Sequence, residues 1–285
     1  YSDGTMINCT FGNEDYESCI EGNNHVGGIA GALDIKTGSS ALLAKLNNYG
    51  RISGNNNAGG ICGSTLKNIS GGNYIELYNY GEVCGNENIG GIIGFSNNNI
   101  TISNTKITNE GKISSSGSNA GGFIGRFSSK TFTVNAGSVI VNEGEIHAEN
   151  GNAGGIVGGL TNSSVAVKIT DAAVSNTKKI TSASDNVGGI FGYLAYRPTI
   201  SGSKSEVKNE GDIEAKGQNA GGIIGYVKNN SEISALSKVK NAGNIRANAN
   251  AGGIIGYTEG THKTNKSELL NEGNIDVDGN NAGGI

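Results

Sequence analysis

The sequence lacks several residue types and patterns that common protein classes require. It has no Trp and a single Pro among 285 residues, and the Gly-X-Y spacing of collagen is missing although Gly occurs 49 times. Each Gly costs about 1 kcal/mol in a helix interior relative to Ala. We therefore expect neither a collagen triple helix nor many α-helices.

Long apolar runs and charge clusters are missing as well. No segment approaches the ~20 apolar residues of a transmembrane helix, and the first residues do not resemble a secretion signal. The Lys and Arg residues are scattered, and the net charge is only 21 − 25 = −4, so we expect no nucleic-acid partner. Because the chain starts and stops within its own pattern, we expect a section of a longer protein, with no membrane span in this section.

The sequence does contain a repeat, a Gly-Gly-Ile-x-Gly block spaced by 32, 31, 31, 33, 34, 33, 31 and 31 residues. The blocks begin at Gly27, Gly59, Gly90, Gly121, Gly154, Gly188, Gly221, Gly252 and Gly283. One such unit cannot bury its own apolar face, but a stack of units can. The repeat predicts an all-β fold, a parallel β-solenoid (β-helix) of about nine ~31-residue coils. The array is predicted over residues 24–285, after an N-terminal cap or incomplete coil at residues 1–23.

Three short strands are expected in each coil. They are the block, an apolar-x-Asn-x-Gly-x-Ile/Val segment, and a less regular strand such as 99–103 or 165–169. The block is apolar at successive positions, so both faces of its strand should be covered, either by a loop or by a partner. The possible assembly face comprises Ile93, Ile124, Ile223, Ile224, Ile254, Ile255, Tyr226 and Tyr257.

Two rows of Asn accompany the blocks. The first row, two positions before each block with His25 in the first, is Asn57, Asn88, Asn119, Asn152, Asn186, Asn219, Asn250 and Asn281. The second row, before a turn Gly that Lys178 replaces once, is Asn48, Asn79, Asn109, Asn142, Asn176, Asn209, Asn241 and Asn271. Equivalent residues of stacked coils lie about 4.8 Å apart, which lets one amide donate to the next. We expect such a ladder in at least one row; alternatively, these residues are only turn formers.

The two halves of the repeat resemble the GLUG motif of microbial surface proteins, which reads roughly Gly-Gly-Leu-Val-Gly followed by Asn-x-Gly-x-Val. Residues 221–226 and 239–245 look like these halves, with Ile in place of Leu and longer coils. The resemblance covers residues 24–285. It implies a secreted or wall-attached adhesin-like protein, sometimes beside an immunoglobulin-cleaving metallopeptidase domain. The His-Glu-x-x-His motif is absent from this chain, so that activity is not implied here.

No pattern indicates a catalytic or metal site, so we expect no enzyme, no cofactor and no metal. The histidines are isolated from one another: His25, His147 and His262. The segment 276–280 resembles only a fragment of a calcium loop. Acidic residues before the turn glycines predict a solvated column along one edge: Glu110, Glu143, Glu210 and Glu272.

Two covalent features are possible. Cys9 and Cys19 flank a turn-rich stretch and could form a disulfide, whereas Cys62 is either a buried small hydrophobe or a partner of Cys84. Asn-x-Ser/Thr sequons that could carry glycans are Asn68, Asn99, Asn162, Asn229 and Asn265. Four of these five follow the last Gly of a block by four or five residues, which predicts a row along one edge.

Two classes of function follow. The first is a non-enzymatic extracellular or cell-surface protein, structural or adhesive, that forms a rigid rod or filament. Its partners would be copies of itself, other surface proteins or glycans. The alternative is a carbohydrate-binding or carbohydrate-processing β-solenoid, which needs acidic or aromatic residues gathered where the repeat breaks. The marked irregularities, 193–198 and 130–138, contain no acidic pair, which favours the first class.

Overall fold

The computed structural model is a parallel β-solenoid, which confirms the predicted fold. It describes residues 6–15, 17–33, 43–65, 68–71, 75–164, 166–279 and 281–285. These residues form strands and turns without a helix, so no helix among them could cross a membrane. The strands build four parallel sheets, and about eight turns are complete, one fewer than the nine predicted.

The sheets are numbered in the order in which the chain passes through them in each coil. Sheet 1 contains Met6–Phe11, Leu43–Asn48, Ile75–Asn79, Thr105–Asn109, Val139–Asn142, Ala173–Asn176, Glu206–Asn209, Lys238–Asn241 and Glu268–Asn271. Sheet 3 contains Ala30–Leu33, Cys62–Thr65, Ile93–Ser96, Ile124–Phe127, Val157–Leu160, Phe191–Leu194, Ile224–Val227 and Ile255–Thr258. Sheet 4 contains Ile69–Gly71, Ile100–Ile102, Thr131–Val134, Ala166–Thr170, Pro198–Ser201, Ser231–Ser234 and His262–Asn265.

Sheet 2 is used twice by each coil. In the first coils a single long strand crosses it: Cys19–Gly27, Arg51–Gly59 and Val83–Gly90. Later coils enter it through Ile113–Ser115, Ile146–Ala148, Ile180–Ser182, Ile213–Ala215, Ile245–Ala247 and Ile275–Val277. They return through Ala120–Gly121, Ala153–Gly154, Val187–Gly188, Asn219–Gly221, Asn250–Gly252 and Asn281–Gly283.

The N-terminal segment joins this stack directly. Residues 6–23 supply strand Met6–Phe11 to sheet 1 and the start of Cys19–Gly27 to sheet 2. The predicted boundary at residue 24 therefore falls inside a strand. Within the described ranges, this segment is the beginning of a coil that pairs in register with the next one.

The Gly-Gly-Ile-x-Gly block is a corner and not the single strand that we predicted. Ala120–Gly121 ends a strand of sheet 2, Gly122 and Phe123 turn the chain, and Ile124–Phe127 begins sheet 3. Side chains on opposite sides of an extended strand would face apart, but a bend between them lets both point into one core. The corner therefore explains the apolar side chains at successive positions, without a cover.

Two separate hydrophobic cores lie inside the coils. The larger one is enclosed by sheets 1, 3 and 4 and includes Ile107 and Phe123, while the smaller one lies within sheet 2 and includes Ile113 and Ala120. Asn109 follows Ile107 and precedes Ile113 along the chain, so the second Asn row lies where the chain passes from one core to the other.

Glycine is needed at this passage because the Asn side chains fill the space. A Cβ added to Gly91 would lie 2.4 Å from Oδ1 of Asn109 and 2.2 Å from the carbonyl oxygen of Gly122. Real Cβ atoms do not approach other atoms so closely. The second Gly of the block and the Asn of the second row therefore pack against each other, although they lie about twenty residues apart in sequence.

Both Asn rows form ladders, which confirms the prediction. In the inner ladder, Nδ2 of each Asn donates to Oδ1 of the Asn in the following coil at 2.6–2.7 Å, from Asn48 to Asn271. In the outer ladder, Nδ2 donates to the preceding coil at 2.6–3.2 Å, from Asn281 back to Asn57. The names inner ladder and outer ladder are used below for these two rows.

Candidate functional site: a tyrosine-lined groove on sheet 1

The predicted assembly face is mostly interior. Five isoleucines of that face are at most 1% exposed and belong to the larger core: Ile93, Ile124, Ile223, Ile224 and Ile254. Ile255 is half-buried and packs against the same core. The prediction is wrong for these isoleucines, because the corner in the block turns them inward, where they cannot contact a partner.

Tyr226 and Tyr257 do lie on the outside, in a column along sheet 3. Their rings stack with centroids 5.6 Å apart, and Tyr193 lies 5.3 Å from Tyr226 on the other side. The Tyr226 hydroxyl donates to Glu259, and burial, together with this hydrogen bond, raises the pKa of Tyr226. Both faces of the Tyr226 ring are therefore covered by other tyrosines.

A second group of tyrosines lines an open groove on the outer face of sheet 1, with a volume of about 760 Å³. Tyr49, Tyr78 and Tyr80 lie on it, because outward positions of sheet 1 alternate with the buried residues Leu77 and Asn79. The remaining residues that line it are Lys45, Asn47, Glu76, Lys106, Thr108, Glu110, Val141 and Glu143.

The rings of Tyr78 and Tyr80 form a panel. Their planes are 7° apart and their centroids 6.0 Å apart, while Tyr49 stacks on Tyr80 at 4.5 Å with an interplanar angle of 9°. Tyr49 belongs to the preceding coil, and in the following coil the panel is faced by Thr108 and Glu110. One side of the panel is thus backed by protein, while the other side meets small or flexible side chains across the groove.

Charged groups of both signs surround the panel. Nζ of Lys106 lies 5.4 Å from the centre of the Tyr78 ring, a distance at which a cation–π interaction is favourable. Burial, with smaller contributions from Tyr49 and Glu110, raises the pKa of Tyr80 to about 12. Tyr80 therefore keeps its hydroxyl proton at neutral pH and can donate a hydrogen bond.

The acidic column along the turn edge is present, as predicted. The four side chains are exposed: Glu110, Glu143, Glu210 and Glu272. Glu210 pairs with Lys208, and Glu272 pairs with Lys240 at 2.7 Å. Glu110 and Glu143 form no ion pair with any residue in the described ranges, and both line the groove.

The predicted disulfide is not formed. Cys9 lies opposite Leu46 in sheet 1, whereas Cys19 is an exposed thiol opposite Arg51 in sheet 2. Cys62 is 2% exposed in the larger core and is stacked between residues of the neighbouring coils. Its interpretation as a buried small hydrophobe is confirmed, and its pairing with Cys84 is wrong because both are thiols.

Four of the five sequon asparagines lie at the turn between sheets 3 and 4, which forms one edge of the rod: Asn68, Asn99, Asn162 and Asn229. Asn265 ends a strand of sheet 4. Nδ2 of Asn229 donates to the Ala195 carbonyl of the preceding coil at 2.8 Å. A glycan on that nitrogen would compete with this bond. Glycosylation of these residues stays a prediction.

The histidine environment was not foreseen from sequence. Nδ1 of His147 lies 2.7 Å from Oγ1 of Thr181, and Nε2 lies 2.9 Å from Oε2 of Glu149. A hydroxyl, an imidazole and a carboxylate that are hydrogen-bonded in this order form the arrangement of a catalytic triad. Such a triad is recognised by its geometry and not by sequence order. Here the His147 and Glu149 side chains are 42% and 56% exposed, so water competes for both bonds. We interpret the group as a surface contact.

No group of three or more His, Cys, Asp or Glu side chains capable of holding a metal ion occurs among the residues that the structure describes. Comparison of the chain with known protein families, curated proteins and solved structures found no match. The candidate site therefore depends on its own geometry, and the tyrosine-lined groove, a concave polar surface with three aromatic side chains, is the candidate.

Proposed function

We propose that this chain is a non-enzymatic section of an extracellular surface protein, which serves as a stiff structural or adhesive rod. The observation that carries the proposal is the continuity of the stack. Sheet 1 runs through nine strands in register, and each Asn ladder adds seven Asn–Asn hydrogen bonds along the axis. Repeated neighbour contacts of this kind resist bending at any single coil.

Amide hydrogen exchange of the purified chain tests the stiffness. We expect similar protection of the sheet 1 and sheet 3 amides from coil to coil, because every one of these strands is bonded on both sides away from the ends. A coil in the middle of the array that exchanges much faster than its neighbours would act as a hinge and contradict a stiff rod.

Antibody labelling of the source cells tests the location. An extracellular protein labels intact cells, whereas an internal one labels only permeabilised cells. Labelling restricted to permeabilised cells would overturn this part of the proposal. The resemblance to the GLUG motif points in the same direction and stays a prediction.

The absence of enzyme activity is also proposed, and the His147 group provides its most direct test. The chain should hydrolyse p-nitrophenyl acetate no faster than Thr181→Val does, since that variant keeps the exposed imidazole and lacks the hydroxyl. Faster hydrolysis that disappears in both Thr181→Val and His147→Ala, but not in His262→Ala, would identify a catalytic group and contradict the proposal.

Carbohydrate binding is the second candidate function, and the groove on sheet 1 favours it. Aromatic rings beside hydrogen-bonding groups in an open groove are suited to holding a ligand that is apolar on one side and hydroxylated on the other. Carbohydrate processing has less support, because glycoside hydrolysis needs a carboxylic acid that stays protonated beside an ionised partner.

A further inference from the structure

We propose that the tyrosine-lined groove on sheet 1 binds an uncharged oligosaccharide made of β-linked pyranose rings, with one ring lying on the panel of Tyr78 and Tyr80. This inference rests on the adhesive role in the proposed function and gives that role a ligand and a site. It uses the outer face of the second to fifth coils.

The panel provides a surface of suitable shape and size. Tyr78 and Tyr80 lie two residues apart on one face of the chain, with ring centroids 6.0 Å apart and planes only 7° apart, so their aromatic faces are parallel and together larger than one phenol ring. A β-linked pyranose with equatorial hydroxyls also has a flat face made of C–H groups. Placing that face on the panel removes apolar surface of both partners from water.

The panel is held in place before a ligand arrives. Tyr49 supports Tyr80 from the preceding coil at 4.5 Å, and the strand beneath is fixed by Leu77 and Asn79, which are 4% and 0% exposed. Side chains that are already ordered lose less conformational entropy on binding. The stack therefore favours a ligand that lies on the panel and leaves the tyrosines in their positions.

The polar groups of the groove match hydroxyls and not a single charge. Lys45 and Lys106 oppose Glu76, Glu110 and Glu143, which gives a formal charge of 2 − 3 = −1 for the groove. Carboxylates accept hydrogen bonds, ammonium groups donate them, and Thr108 does both, so the donors and acceptors of a sugar can be satisfied at once. A polyanion or a polycation would meet like charges on one side.

The rest of sheet 1 explains why the site lies in these coils only. The column that contains Tyr78 continues with Thr108, Val141, Ser175 and Lys208, without another aromatic residue. In front of Tyr78 stand the small Thr108 and the flexible Lys106 side chain, which a sugar ring would displace, whereas in the sheet 3 column Tyr226 has a tyrosine on each face. Tyr226 therefore serves as a matched control.

Binding of cellotetraose and of chitotetraose to the purified chain, measured by saturation-transfer NMR and calorimetry, tests the proposal. We expect at least one of these β-linked probes to bind. The double variant Tyr78→Ala with Tyr80→Ala should bind that probe with an affinity lower by about tenfold or more. Tyr78→Phe should stay within about threefold of the parent, because the stacking face is kept. Tyr226→Ala should bind like the parent.

The proposal is overturned if neither probe binds, if the double variant binds as well as the parent, or if Tyr226→Ala weakens binding as much as the double variant does. Circular dichroism of each variant checks that the coils remain folded. Failure of the proposed function would look different, since it would appear as a hinge in hydrogen exchange or as labelling of permeabilised cells only, with glycan binding unchanged.

Discussion

The inner and outer ladders place the same residue type at the same spacing in two different environments. Each inner Asn except the last, Asn271, uses both N–H groups, one for the next Asn and one for the carbonyl two residues further along, as in Asn142 to Gly144 at 2.7 Å. Seven of the eight inner residues are at most 1% exposed. Each outer Asn except Asn57, whose partner is the His25 ring, makes one amide–amide donation, and some are half-buried or exposed.

The difference shows what each ladder can do. The second bond fixes the orientation of the inner amide and leaves it no spare donor. The inner ladder is therefore a structural element, in which the buried amides between the two cores satisfy one another without water. The outer amides retain an N–H group without a partner among the described residues, and three of them line a groove with Arg126 and Tyr193. The ladders donate in opposite directions, so their amide dipoles oppose each other along the rod.

Gly122→Ala should break the inner ladder most severely. The new Cβ would lie 2.2 Å from the Gly155 carbonyl oxygen and 2.5 Å from Oδ1 of Asn142, so backbone must move. We expect a loss of about 4 kcal/mol in the free energy of unfolding, measured by urea denaturation. Gly22→Ala is the control, because its nearest contacts are side-chain atoms of Val26. Equal effects of the two changes would contradict the packing argument.

Asn142→Ala should be the next most damaging change. It removes the acceptor for Asn109 and the donors to Asn176 and to the Gly144 carbonyl, all of which are buried. Buried polar groups that lose their partners cost about 1–3 kcal/mol each, partly relieved by relaxation, so we expect a total loss of about 3 kcal/mol. Urea denaturation gives the value, and hydrogen exchange should show the loss of protection centred on this coil.

Asn152→Ala makes the same change in the outer ladder of the same coil. It also removes two amide–amide bonds, to Asn119 and from Asn186, but water can reach this position. We therefore expect a loss of only about 1 kcal/mol in the same urea experiment. A loss as large as that of Asn142→Ala would mean that the two ladders contribute equally and that exposure does not distinguish them.

Much of the fold was predictable because every coil has the same apolar face, which it must bury against its neighbours. The spacing of Gly121 and Gly154 predicts the coil length, and the constant Asn offsets predict a ladder in at least one of the two rows. The corner within the block was not predictable, because Ile and Gly are equally compatible with a strand and with a bend. Whether Ile223 faces a partner or the core depends on that bend, and hence the assembly face was placed wrongly.

The groove was missed for a different reason. The prediction places a carbohydrate site at breaks in the repeat, but Tyr78 lies on a regular strand and Tyr80 follows that strand directly, at the turn. Their neighbours Tyr49 and Glu110 come from adjacent coils, about thirty residues away in sequence. Writing the repeats beneath one another and comparing outward positions would have revealed this column. The Thr181 contact of His147 could have been found in the same way.

Lys178→Gly should have the smallest effect. Lys178 replaces the turn Gly that follows the inner Asn in other coils, where a Cβ on Gly144 would lie 2.0 Å from the Gly111 carbonyl oxygen. Its own carbonyl still accepts from Asn176 at 2.7 Å, so the ladder continues without a break. The turn from Asn176 to Ile180 has the same length as the turn from Asn142 to Ile146, so Lys178 occupies the position of the turn Gly without an insertion.

We therefore expect Lys178→Gly to change the free energy of unfolding by no more than about 0.5 kcal/mol, since the side chain is exposed and the turn already accommodates a Cβ. Gly144→Ala is the matched control and should be clearly destabilising in the same urea titration, because its Cβ would lie 2.0 Å from the Gly111 carbonyl oxygen. If Lys178→Gly instead stabilised the chain by more than about 1 kcal/mol, Lys178 would be strained. The inner ladder would then depend on the turn glycine itself and not only on the carbonyl that it presents.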